Sequence, residues 1–170
     1  MLKKMVRINI IKGDITELNC DAIVNAANKE LRGGSGVCGA IFNKAGWDDL
    51  QKECYAKGPI KTGEAEITKG YRLKAKYIIH AVGPIYSGDD LKDSKLLYNA
   101  YTNSLRKAEE YFLSSIAFPS ISTGVYGYPK EKAALIAIQA IRDFNYTHIE
   151  EVIFACFDDY TYELYKSLLK

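Results

Sequence analysis

Two glycine-rich segments lead into stretches patterned as helices: Gly33-Gly34-Ser35-Gly36-Val37-Cys38-Gly39 before Ala40 to Ala45, and Ser122-Thr123-Gly124-Val125-Tyr126-Gly127-Tyr128-Pro129 before an apolar stripe at Ala134, Leu135, Ile138 and Ile141. Backbone without side chains lets several N–H groups approach one phosphate, and the positive end of the following helix adds to the attraction. Either segment alone also reads as a plain turn. Two cradles in one chain suit a diphosphate, with Gly34, Ser35, Gly36 and Val37 in the first and Ser122, Thr123, Gly124, Val125 and Tyr126 in the second. Tyr126 offers a ring to a ribose or base, or a lid that only packs.

Residues 34 to 39 also spell G-x-G-x-x-G, the dinucleotide fingerprint of a Rossmann domain. The context differs, since there the first glycine directly follows a strand, whereas here Asn25 to Gly33 intervene after the expected strand end. No G-x-x-x-x-G-K-[ST] occurs, which argues against a nucleoside triphosphatase.

Other side chains carry possible chemistry. Asp14 can accept from an exocyclic amine or cap the turn at Thr16, Asn28 can pair with vicinal hydroxyls, and Asn25 and Asn28 can both tie down backbone after the strand. His80 closes an apolar run and reads as a hydrogen-bonded structural histidine rather than a catalyst. The cysteines at 20, 38, 54 and 156 form no C-x-x-C pair and read as reduced thiols. A zinc site would need a pairing such as Cys38 with His80, which spacing does not support, so no metal or cofactor is expected.

The elements that must hold these residues alternate. Val6 to Ile11, Ala22 to Asn25, Tyr77 to Val82, Ser115 to Pro119 and Val152 to Phe157 read as buried strands, with Ala65 to Lys69 as a further candidate. Leu97, Tyr101, Leu105, Ala108 and Phe112 make one helical stripe, Ala134 to Ile141 a second, and Tyr160 to Leu169 a closing helix. The pattern predicts a three-layer α/β/α domain around a mostly parallel, mixed sheet. In such sheets ligands collect beyond the carboxyl ends of the strands, where both glycine loops fall.

Length and composition fit one soluble domain: 170 residues, 48% hydrophobic, 26% charged, net charge +2. Acidic and basic residues are interleaved, so neither nucleic acid nor an anionic membrane is an expected partner. No apolar run approaches the roughly 18 residues of a spanning helix, and Arg7 and Asn9 interrupt the first strand too early for a signal peptide. A monomer in the cytoplasm is expected.

Taken in order, Gly13-Asp14-Ile15-Thr16, Asn25-Ala26-Ala27-Asn28, the first glycine loop through Ala40-Ile41, His80-Ala81-Val82-Gly83-Pro84 and Ser120 to Gly127 resemble macrodomains over nearly the whole chain. The similarity is greatest to bacterial MacroD-type proteins, which bind ADP-ribose and commonly remove it from acidic side chains or deacetylate O-acetyl-ADP-ribose. The resemblance implies one macrodomain over residues 1–170, with ADP-ribose, ADP-ribosylated protein or O-acetyl-ADP-ribose as partner. It also implies site roles: Asp14 and the Ile15 amide at adenine, Phe157 against its ring, Gly34 to Val37 and Ser122 to Tyr126 around the diphosphate, and Asn28 at the distal ribose.

One departure stands out. Active MacroD-type enzymes typically read Gly-Val-Asp-Gly-Ala-Ile-His in the first loop, and this chain reads Gly36-Val37-Cys38-Gly39-Ala40-Ile41-Phe42. A thiol of ordinary pKa is mostly protonated and is a poor substitute for a carboxylate that orients water. Asn28 and Cys38 are the catalytic candidates, a phosphate-activated water is a route that needs neither acid nor thiolate, and a non-catalytic reader of ADP-ribose is the alternative to a hydrolase.

Overall fold

The computed structural model describes residues 3–170. Six strands form one sheet: β1 (Arg7–Lys12), β2 (Ala22–Ala26), β3 (Ala65–Lys69), β4 (Tyr77–Ala81), β5 (Ser115–Phe118) and β6 (Glu151–Cys156). Their order is β1-β6-β5-β2-β4-β3, parallel throughout except for the antiparallel edge pair β3–β4. Five helices complete the three layers: α1 (Gly36–Ala45), α2 (Trp47–Lys57), α3 (Asp90–Glu110), α4 (Lys130–Asp143) and α5 (Asp159–Leu168).

Alternation along each strand divides the core in two. Ala22 and Val24 of β2, Ile79 and Ala81 of β4, and Phe118 and Phe154 meet α3, α4 and α5 through Leu97, Tyr101, Ala137, Ile141 and Tyr165. The intervening residues Ile23, Ile78, Ala117 and Ala155 meet α1 and α2 through Ile41, Phe42, Leu50 and Cys54. Strands covered on both faces must be apolar on both, which is why β2, β4 and β5 read as continuous runs.

Two expectations need correction. Phe112 does not continue the α3 stripe: the helix ends at Glu110, and Phe112 stands 74% exposed in a left-handed conformation (φ 57°) against His148. Leu135 is 57% exposed, so α4 buries Ala133, Ala134, Ala137, Ile138, Ala140 and Ile141 instead. The sequence reading also passed over α2, whose only buried residues are Leu50 and Cys54. The segment Ser87 to Asp93 is partly helical, with the buried Asp93 accepting from Ser87 N–H at 2.8 Å and α3 capped by Asp89.

Candidate functional site

All five parallel strands end at one edge, so the loops after β1, β6, β5, β2 and β4 stand side by side in that order. This lateral order fixes which candidate residues are neighbours.

At the β1–β6 end, Lys12 pairs with Cys156 and Gly13 N–H donates to Cys156 O at 3.0 Å, so Asp14 and Phe157 leave adjacent strands together. Asp14 caps a short 3-10 turn (Ile15–Glu17), its Oδ1 accepting from Thr16 N–H at 2.9 Å and Thr16 Oγ1 at 2.6 Å. The Thr16 hydroxyl bond holds the carboxyl below its ordinary pKa, and Oδ2 is left for another donor. Ile15 buries its side chain, while its N–H, first in the turn, has no intrahelical acceptor. The Phe157 ring is 81% exposed. The capping reading and the adenine reading of Asp14 are therefore compatible.

Beyond β5, the loop is closed on itself. Tyr128 N–H donates to Ser122 O at 2.9 Å, Gly127 N–H to Gly124 O at 3.0 Å, and Thr123 Oγ1 to Ser120 O at 3.1 Å. Ser122 is buried yet held at φ 68°, a conformation that costs a non-glycine residue about 1–3 kcal/mol and that such a loop retains only because its surroundings fix it. Val125, at 96% exposure, and Gly124 project outward. The Tyr126 carbonyl accepts from Tyr86 N–H at 2.9 Å, tying this loop to the one after β4.

Beyond β2, Asn28 and Arg32 close a second loop, with Arg32 N–H donating to Asn28 Oδ1 at 2.9 Å and Asn28 Nδ2 donating to Arg32 O at 2.8 Å. Chain and helix then meet very closely: a Cβ on Gly39 would lie 2.5 Å from Gly34 O, and Gly36 adopts φ +60°. The first turn of α1 follows the exposed residues Gly34, Ser35 and Gly36, and the Ser35 side chain does not cap it. An anion is a fitting partner for such a helix end.

Cys38 sits beneath this loop, 7% exposed. Its thiol donates to Arg32 O at 3.8 Å and accepts from Asn25 Nδ2 at 3.6 Å, and burial raises its pKa. The helix end does not ionise it; the group is a neutral thiol at physiological pH. Phe42, where the resemblance places a histidine, is fully buried against Trp47 and the edge of His80, so it offers no proton-transfer group. His80 is fully buried, and burial lowers its pKa to about 3. Its structural reading agrees with these contacts. Cys38 and His80 do not meet directly but through Asn25, and no group of three or more His, Cys, Asp or Glu side chains is arranged for a metal among the described residues. The contributions of the Arg32 carbonyl and of Thr68, which contacts His80, were not legible in the sequence because the first depends on how Asn28 closes its loop and the second on the β3–β4 register.

Comparison with known proteins agrees with this architecture. A model of the Macro domain family matches residues 24–137. A macro domain-containing protein of Chlorobaculum tepidum is 51% identical over 166 residues, covering 96% of both chains. A Salmonella newport protein named O-acetyl-ADP-ribose deacetylase is 48% identical over 168 residues, covering 96% of this chain and 94% of that protein. Among solved structures, the Oceanobacillus iheyensis macrodomain with ADP superposes with a TM-score of 0.89 at 41% identity, over 99% of this chain and 94% of that one. The Trypanosoma brucei macrodomain in complex with ADP-ribose gives 0.87 at 38% identity, over 96% of this chain and 69% of that one. The chain belongs to the macro domain family.

No helix is long and apolar enough to cross a membrane among the described residues.

Proposed function

We propose that residues 1–170 act as one macrodomain that binds ADP-ribose across the strand ends and hydrolyses ADP-ribosyl esters slowly. The observation that carries this reading is the lateral order of the loops. An adenine-sized aromatic face and a carboxylate stand after β6 and β1, two amide-rich loops follow over β5 and α1, and an asparagine loop stands after β2, an order that fits adenine, diphosphate and distal ribose in one extended pose.

Hydrolysis adds water across the ester, releasing ADP-ribose and a carboxylic acid, which is acetate for O-acetyl-ADP-ribose or a protein side chain for a modified Asp or Glu. The loop amides and Asn28 hold the ligand in place, and close positioning alone lowers the barrier by several kcal/mol. With Cys38 a neutral thiol, the proton acceptor nearest the reacting end is a diphosphate oxygen of the ligand, a weak base, so turnover is slow. The ester-cleaving activity is supported by relatives named O-acetyl-ADP-ribose deacetylase.

A second reading, a reader that binds ADP-ribose without turning it over, is favoured by that same thiol. The two separate in one assay: purified chain incubated with mono-ADP-ribosylated protein and, in parallel, with O-acetyl-ADP-ribose, following released ADP-ribose against a no-protein control. Release above the control is the expected result; binding with no release establishes the reader, and neither binding nor release rejects both.

A further inference from the structure

Tyr101 lies midway along α3 and is 1% exposed, its ring packed on that of Phe118 with centroids 5.0 Å apart. Phe118 is the last residue of β5; beyond it the chain leaves the sheet, whereas the neighbouring β6 runs on to Cys156. The departing turn is still inside the protein, because Pro119 and Ile121 are buried. Backbone groups at such a place need partners other than water. One side-chain oxygen serves both: the Tyr101 hydroxyl donates to Pro119 O at 3.3 Å and accepts from Ile121 N–H at 3.2 Å.

This clamp sits at the entry to the second glycine loop. Ser122, the residue after Ile121, holds φ 68°, and Tyr128 N–H closes the loop on Ser122 O. A left-handed serine persists only where its surroundings fix it, and on the entry side that fixing falls to Ile121, whose N–H is held by α3. A second tyrosine supplies the contrast. Tyr165 of α5 is also 1% exposed and packs its ring on Phe154 at 4.5 Å. Burial raises the pKa of its hydroxyl, the neighbouring Tyr101 adds to that rise and Ser120 opposes it, yet the hydroxyl has no hydrogen-bond partner among the described residues. It grips no backbone.

We infer that Tyr101 is a positioning residue for the diphosphate: its hydroxyl sets the path on which the chain enters the β5 loop, and so the direction in which that loop meets the ligand. Buried beneath the loop, Tyr101 acts through the backbone of Pro119 and Ile121 rather than on the ligand itself. Phosphate recognition at the strand ends thereby depends on one hydroxyl contributed by α3. The inference rests on the ADP-ribose reading above, which gives the β5 loop to the diphosphate.

The test titrates ADP and ADP-ribose by calorimetry, and the phosphate-free adenosine by amide NMR, into the parent, Tyr101→Phe and Tyr165→Phe. Tyr101→Phe keeps the ring on Phe118 and loses only the oxygen. Stability falls too, since two buried backbone groups lose their partner, so the deciding quantity is the ratio of ADP to adenosine affinity. Tyr101→Phe is expected to lose about threefold to tenfold in affinity for ADP and ADP-ribose, the range for a neutral hydrogen bond, with adenosine within about twofold, and Tyr165→Phe to leave all three unchanged. An equal loss for adenosine, an equal loss in Tyr165→Phe, or no loss in Tyr101→Phe overturns the assignment. Hydrogen exchange in the parent gives a reading that needs no variant to fold: Ile121 N–H exchanges more slowly with saturating ADP than with saturating adenosine, and equal exchange overturns the assignment. A parent that binds neither ADP nor ADP-ribose rejects the underlying ADP-ribose reading instead.

Discussion

Asn28 and the backbone of Arg32 bind each other at both ends of the amide, at 2.9 and 2.8 Å, and Cys38 adds its thiol hydrogen to the same Arg32 carbonyl. The residue assigned to the distal ribose thus also fixes the loop that presents the first glycine cradle.

Asn28→Ala therefore has a double effect. Loss of two neutral hydrogen bonds at a half-buried site lowers stability by about 1–2 kcal/mol, read as a shift in the urea midpoint at unchanged m-value. ADP-ribose affinity and turnover fall as well, and more than the stability loss alone explains, since the variant remains folded at 25 °C. An unaltered affinity in a folded Asn28→Ala protein removes this residue from the ligand site.

Asp14→Ala weakens ADP-ribose by about 1.5–3 kcal/mol, the range for a charge-assisted hydrogen bond, as measured by calorimetry. The Thr16 hydroxyl holds the folded-state pKa of Asp14 below its ordinary value, so the carboxylate is fully charged from neutral pH down to about 5. Its contribution to affinity is flat over that range and disappears only as pH falls through the depressed pKa, below about 4. A binding profile that declines between pH 7 and 5 in the parent but not in Asp14→Ala contradicts the assignment.

The glycines separate structural from binding roles. Gly124 would meet nothing within 4 Å of an added Cβ and has no positive φ, so Gly124→Val folds with little change in melting temperature, yet its bulk blocks the approach of a phosphate to the loop amides. Gly39→Ala places a methyl 2.5 Å from Gly34 O and forces the first glycine loop off the helix, so it loses stability and binding together. Wild-type affinity in Gly124→Val would take the β5 loop out of the phosphate site.

How much of this was legible beforehand follows from local chemistry. The parallel strands were readable because burial on both faces makes runs such as Ala22 to Val24 and Tyr77 to Ile79 apolar, and the first glycine loop because Gly39 packs against Gly34 O and Gly36 takes a positive φ. Helix α2 was not, since Asp48, Asp49 and Lys52 present a polar surface and just Leu50 and Cys54 are buried. Phe112 and Leu135 fit the helical period but fall where the chain turns or faces outward, which period alone does not reveal. The Thr68–His80–Asn25–Cys38 chain spans three strands and a helix and exists only through their register.

His80 gives stability a pH dependence of definite sign. Its pKa falls from about 6.5 when unfolded to about 3 in the native core, because burial disfavours the imidazolium. Between these values the unfolded chain binds a proton that the native state does not, so stability declines as pH drops from 6.5 toward 3, by at most about 1.4 kcal/mol per pH unit. His80→Gln, whose amide can still accept from Asn25 and donate to Thr68, should flatten the fall in melting temperature between pH 7 and 5. An unchanged slope in that variant assigns the dependence to other groups.

Cys38 is the position at which chemistry and recognition part. Because its thiol is neutral, buried and donates to a carbonyl, Cys38→Ala should change turnover of an acidic-linkage ADP-ribose by less than about threefold, which at RT near 0.6 kcal/mol is within the net worth of one weak hydrogen bond. Cys38→Asp places a carboxylate at the start of α1, close to where the attacking water must sit, and a general-base contribution is worth about 10²–10⁴-fold. Its gain is reduced by repulsion from the bound diphosphate, and a raised rate at unchanged or modestly weakened ADP-ribose affinity is the expected pattern in single-turnover measurements. If Cys38→Ala instead abolishes a robust parental activity while ADP-ribose still binds, the neutral-thiol account fails and a cysteine-dependent mechanism takes its place. If Cys38→Asp binds ADP-ribose like the parent and still releases nothing, the missing carboxylate is not what limits turnover, and the reader function becomes the better description of the protein.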